Sequence, residues 1–175
     1  MGIQSPQYIT NEKSRQKVHE MRSQYSAILT TTETVMVDDP MLNIRNVGAN
    51  QCVCPDLLVF GSRPLSRDLN IFQIPNRKIY FFTGENLKSD LKKIASMGYD
   101  SIFTECGAKM ATELLDQELV DEIVLFIAPE IFGSGRHAFE KEINLQKFIL
   151  EEVQSFDDDV MVRFIRSPQV SQFSG

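Results

Sequence analysis

"SIFTECGAKMATELL", residues 101–115, places a short strand, a glycine turn and the opening of a helix in immediate succession. Ile102 and Phe103 are residue types that favour strands, and Ala108–Leu119 suits a short helix. Taken alone, a glycine at such a junction is a turn and nothing more. In α/β sheets, however, ligands collect outside the carboxyl ends of the strands. Gly107 lets backbone approach a ligand closely, and the free N–H groups that open the next helix suit a phosphate. Glu105, last in the strand, would point into the same crevice.

Working outward, the unit repeats. Val18, Met21 and Tyr25 fall at helical spacing, so a helix is read over Asn11–Ser23, and a strand Ser26–Thr31 follows at once. Asp56–Ser62 and Arg77–Gly84 are apolar strands that close on small residues. Leu87, Leu91, Ile94 and Ala95 share one helical face, with Gly98 as a stop. After the helix at Ala108 comes a long apolar strand, Ile123–Ala128, read as a buried central strand, with a subunit interface as the alternative. Phe148–Ser167 suits an antiparallel hairpin turning at Asp157–Asp159, itself read as a solvated turn. Alternating strands and helices predict an α/β domain with a mainly parallel sheet, an antiparallel hairpin at its C-terminal end, and flanking helices. The domain spans residues 8–167, with an N-terminal remnant at 1–7 and a tail at 168–175.

The totals narrow the function. The chain has 175 residues and a net charge of −6, which argues against a non-specific binder of nucleic acid or an anionic membrane. No apolar run approaches the roughly 20 residues of a membrane-spanning helix, and the N-terminus lacks an apolar signal core, so a cytoplasmic protein is expected. Cys52, Cys54 and Cys106 are an odd set without disulfide spacing, and with two histidines they make a poor zinc site. No metal is expected. His19 reads as a surface helix residue and His137 as a loop residue, with a catalytic proton donor as the alternative for His137.

Two further strand ends carry chemistry. Thr30–Thr34 offers a cluster of hydroxyls, followed by Asp38-Asp39-Pro40, a sequence suited to a turn. Gly61-Ser62-Arg63 sets a hydroxyl beside a guanidinium, a combination suited to a phosphate monoester such as that on the adenosine ribose of NADPH. Neither a G-x-G-x-x-G nor a Walker sequence is present.

The order of these pieces resembles a known family. Tyr8-Ile9-Thr10, Arg22 and Thr34-Val35…Asp38-Asp39-Pro40…Leu42…Arg45, with the downstream "TECGAKMATELLDQELVDEIVLFIAPEIFGSG", are similar to the reductase domain of the bifunctional riboflavin-biosynthesis deaminase/reductase. The resemblance covers nearly the whole chain. It implies a single dihydrofolate-reductase-like α/β domain that uses NADPH to reduce 5-amino-6-(5-phosphoribosylamino)uracil, a phosphorylated aminopyrimidine, to the ribitylamino product. It matches Arg22, Leu42, Arg45 and Glu105 to substrate contacts. It matches Tyr8, Thr34, Asp38 and Ser62 to cofactor contacts, together with Gly107, Ala108, Lys109, Met110, Ala111, Thr112 and Glu113. It also implies a homodimer, and a deaminase domain upstream in the native protein. No catalytic residue is identified; Asp38 and Glu105 are the nearest candidates for a general acid.

The chain departs from the family at several positions. The family's first strand has no counterpart in Met1–Gln7, so the domain is expected to lack it, either as a piece of a longer protein or by loss. Cys106 stands where the family has the first of two glycines, Gly61 where it has Asp, and Pro6 where it has a serine that Ser5 would replace. These departures motivate an alternative: a non-catalytic dimerisation or scaffold domain of the same fold.

Overall fold

A computed structural model describes residues 8–44, 54–135 and 137–168. Arg45, Cys52, Ser5 and Pro6 lie outside the described residues, as do the remnant 1–7 and the tail beyond Pro168. The elements follow in the order α1 (Glu12–Arg22), β1 (Ala27–Thr31), α2 (Thr32–Asp38), β2 (Asp56–Phe60), a 3-10 turn (Asn70–Phe72), β3 (Ile79–Phe82), α3 (Leu87–Ser96), β4 (Ile102–Thr104), α4 (Ala108–Asp116), β5 (Glu122–Ile127), β6 (Phe148–Phe156) and β7 (Asp159–Arg166).

The first four strands form a parallel sheet in the order β3-β2-β1-β4, with Leu29 opposite Leu58 on one side and Thr104 on the other. Both faces are covered, which is why Ala27–Leu29 and Leu57–Phe60 read as unbroken apolar runs. On one face Leu29, Leu58, Phe60 and Phe82 pack with Leu87 and Ile94 of α3 and Leu114 of α4. On the other, Ile28, Leu57 and Val59 meet Val35 of α2, Leu42 and Ile71. Full burial of each such side chain contributes about 1.5–3 kcal/mol before the entropy of ordering is counted. Because the strands are parallel, their carboxyl ends share one edge, and that edge carries the functional loops.

The C-terminal hairpin forms with the expected turn, but it is joined by β5 in a separate antiparallel sheet, β5-β7-β6. Among the described residues β5 is therefore an edge strand rather than the buried central strand expected from its sequence. Ile127, its last residue, is half exposed, and Ile131 and Phe132 beyond it are exposed. The turn is not fully solvated either. Asp159 is 2% exposed, and its Oδ2 accepts hydrogen bonds from the Asn11 N–H at 2.8 Å and the Ser14 hydroxyl at 2.6 Å. That contact ties the hairpin to the start of α1.

The largest departure is α2. The sequence offers no helix between β1 and the Asp38-Asp39-Pro40 turn, but the chain passes directly from strand to helix. The Thr31 hydroxyl caps α2 by accepting from the Thr34 N–H at 3.1 Å. Asp39 ends the helix in the left-handed region at φ 40°, with Pro40 behind it as a stop. The Asp39 carboxylate then accepts from Asn70 through both its backbone N–H at 2.7 Å and its side-chain amide at 2.9 Å. The two adjacent aspartates thus part company: Asp39 pins the 3-10 turn, while Asp38 stays exposed.

Candidate functional site

A cleft of about 1230 Å³ opens along the carboxyl edge of the parallel sheet. Thr34 and Asp38 line it, four residues apart and so on one face of α2. Ser62 and Arg63 enter from the end of β2, and Thr83 and Gly84 from the end of β3. Across from them lie Gly107, Ala108, Lys109, Met110 and Glu113 from the start and one side of α4. Ala111 and Thr112 are on other sides of that helix; the Thr112 hydroxyl accepts from the Glu140 N–H at 3.0 Å and so anchors a loop that brings His137 and Phe139 into the cleft wall.

Two local features make this an opening rather than a packed junction. Gly61, at φ +126°, brings β2 past α2 so closely that an added Cβ would sit 2.3 Å from Thr32 Oγ1. The aspartate of the family pattern has no room in this arrangement. At Gly107 the reverse holds: an added Cβ would meet nothing within 4 Å. Gly107 caps α4 without a side-chain hydrogen bond, whereas α1, α2 and α3 are capped by Asn11, Thr31 and Asn86. The first N–H groups of α4 therefore face the cleft without a capping side chain, with the positive end of the helix dipole behind them.

Of the residues matched to substrate contacts, Arg22 and Glu105 engage one another, and Glu105 directly precedes the cleft-lining Cys106. Arg22 at the end of α1 grips Glu105 past β4 in a bidentate pair, Nε to Oε1 at 2.5 Å and Nη2 to Oε2 at 2.7 Å. Its third nitrogen, Nη1, donates to the Asn43 carbonyl at 2.8 Å. His19 Nδ1 lies 3.0 Å from the same carbonyl, so this histidine is half-buried in a polar cluster rather than a plain surface residue. Leu42 is 4% exposed and belongs to the core around Ile28. Tyr8 is exposed, is not among the cleft-lining residues, and lies under the Arg15 guanidinium at 4.3 Å.

Cys106 lies in the cleft wall between Glu105 and Gly107. Burial, followed by the neighbouring Glu105 charge, pushes its thiol up to about 12. It is a neutral, poorly nucleophilic group at neutral pH. Among the described residues no cluster of three or more His, Cys, Asp or Glu is placed to hold a metal ion.

Sequence reasoning missed Glu33, Thr83, Gly84, Phe139 and Glu140 as lining residues. Thr83 and Gly84 carried a usable signal, since they end a strand of the same parallel sheet. Glu33 was hidden with α2 itself, and the 137–140 loop has no local pattern that points to the cleft.

A family model described as the RibD C-terminal domain matches residues 2–162. The chain is similar to the riboflavin biosynthesis protein RibD of Haemophilus influenzae, at 26% identity over 202 aligned residues that take in 94% of this chain and 54% of that one. It is also similar to a Buchnera aphidicola protein named 5-amino-6-(5-phosphoribosylamino)uracil reductase, at 23% identity, with 72% of this chain and 76% of the relative covered. Among solved structures, RibD of Acinetobacter baumannii superposes with a TM-score of 0.80 at 22% identity, covering 93% of this chain and 53% of that one. The chain spans about half the length of the RibD relatives it matches. The shared α/β architecture and the family match over nearly the whole chain agree: the chain belongs to the RibD C-terminal domain family.

Proposed function

We propose that this domain is an NADPH-dependent reductase of riboflavin biosynthesis, acting on 5-amino-6-(5-phosphoribosylamino)uracil to give the ribitylamino product. The observation that carries this reading is the cleft at the carboxyl edge of the parallel sheet, where the α4 N-terminus opens without a side-chain cap. Its volume of about 1230 Å³ exceeds the about 300–1,000 Å³ of pockets for drug-sized ligands and leaves room for a dinucleotide. Its donors suit one too. The α4 N–H groups fit a pyrophosphate, the hydroxyls of Thr34 and Ser62 fit ribose oxygens or phosphate, and Arg63 fits the 2′-phosphate. The printed name of the Buchnera relative supports the substrate. An open, lined cleft favours the reductase over a scaffold of the same fold.

When bound, the nicotinamide cofactor supplies the hydride. The chain's own residues position and shield. Thr34 and Asp38 present one helix face to the cleft, Ser62 and Arg63 hold the adenosine end, and Gly107–Met110 receive the diphosphate. The Arg22–Glu105 pair and the Asn43 carbonyl form the substrate side, to which the family resemblance adds Arg45. Both Glu105 oxygens are committed to Arg22, which leaves Asp38, the exposed and cleft-lining one of the two candidate acids, for a proton-transfer step. In the same reading the domain works as a homodimer.

The direct test is oxidation of NADPH, followed by nicotinamide absorbance, in the presence of the phosphoribosylaminouracil. Substrate-dependent oxidation is expected. A folded chain that turns over no substrate at saturating cofactor would overturn the assignment.

A further inference from the structure

Resting on the cofactor reading above, we propose that Glu33 sets how strongly the cleft distinguishes NADPH from NADH, by competing with the ligand's 2′-phosphate for Arg63. Glu33 sits in the first turn of α2, where the helix dipole favours a carboxylate. Arg63 follows β2, one residue past Ser62. The two meet across the mouth of the cleft: Arg63 Nη1 donates to Glu33 Oε2 at 2.6 Å. Both side chains line the cleft, and both remain more than half exposed, at 62% and 54%.

The charge balance makes this pair consequential. Among the described lining residues, Glu33, Asp38, Glu113 and Glu140 are carboxylates, while Arg63 and Lys109 carry the permanent positive charges. Lys109 is at the start of α4, on the diphosphate side. Arg63 beside Ser62 is thus the cation placed for a phosphate monoester, and it is already engaged. A 2′-phosphate must take Arg63 from Glu33, or share it at the expense of repulsion from Glu33. A charge-assisted Arg–phosphate contact is stronger than an exposed ion pair and wins that exchange. Its net gain is still reduced by what Glu33 loses. A ribose without the phosphate leaves the pair intact and meets neither the gain nor the loss. Glu33 therefore acts on NADPH affinity and not on NADH affinity.

The experiment compares dissociation constants of NADPH and NADH by calorimetry for the wild type, Glu33→Gln, Arg63→Gln and the double variant. Both positions are exposed, and circular dichroism confirms that each variant is folded. Wild type is expected to prefer NADPH. Glu33→Gln should tighten NADPH by about two- to five-fold, the reach of an exposed ion pair, and leave NADH unchanged. Arg63→Gln should weaken NADPH by about ten-fold and nearly abolish the preference. In the Arg63→Gln background, Glu33→Gln should have no further effect. If it still tightens NADPH there, or shifts both nucleotides alike, Glu33 does not act through Arg63 and the proposal fails. Equal wild-type affinity for the two nucleotides overturns it as well. Binding of neither nucleotide overturns the cofactor reading beneath it.

Discussion

The residues of the site differ in how tightly their surroundings fix them. Gly61 is the most constrained, because its φ of +126° and the 2.3 Å approach to Thr32 Oγ1 act together. Gly61→Ala is expected to cost about 1–3 kcal/mol in urea unfolding and to weaken cofactor binding by displacing α2. The Arg22–Glu105 pair is next, with side chains 12% and 26% exposed. Removing either partner strands the other, so each alanine variant should lose about 1–3 kcal/mol of stability. The double variant should lose clearly less than the sum. If Arg22→Ala raises KM while leaving the unfolding midpoint untouched, the pair is not a structural lock. Cys106 is held neutral, with a folded value of about 12 against the ordinary 9.0. A group raised on folding contributes its stability below the unfolded value. That contribution is therefore complete below pH 9.0 and disappears as pH rises toward about 12. Accordingly, iodoacetamide should label the Cys106 peptide at pH 8 far more slowly in the native chain than in urea, as mass spectrometry would show.

At the scale of elements, α2 decides the geometry of the cleft, because it carries Thr34 and Asp38 on one face. Thr31→Ala removes its cap and should cost about 1 kcal/mol, with a matching loss of cofactor affinity that Thr31→Ser restores; equal affinity in the alanine variant would show that the cap does not position the helix. This element was illegible in the sequence for a physical reason. Thr32, Thr34, Val35 and Val37 are β-branched and poor helix formers, and the helix is held instead by its cap and by full burial of Val35. The strands were legible because burial on both faces writes short apolar runs such as Ala27–Leu29: the sequence predicts a strand over Ser26–Thr31 and Ala27–Thr31 is found. β5 shows the limit of that signal, since its apolar run says nothing about whether neighbours lie on both sides. Arg22 and Glu105 are 83 residues apart in sequence. No periodicity links them, and only the family resemblance put them on one site. The Glu33–Arg63 pair had no such help.

Across the whole molecule, the two sheets divide the labour. The parallel sheet builds the cleft, and the antiparallel sheet presents apolar surface. Its register aligns Leu125, Val162 and Val153 on one face with Ile123, Phe164 and Leu150, and Val153 and Leu150 are each 57% exposed. If the proposed homodimer uses this face, Val153→Glu should shift the sedimenting species from dimer to monomer while the cofactor cleft stays intact; a dimer unchanged by that substitution places the interface elsewhere. The central claim is that a dinucleotide occupies the carboxyl edge of the parallel sheet, against the start of α4. Amide chemical shifts recorded during NADPH titration of the labelled chain address it directly. Saturable shifts should concentrate at Thr34, Asp38, Ser62 and Gly107–Met110. Shifts scattered away from these residues, or none at millimolar cofactor, would contradict the account.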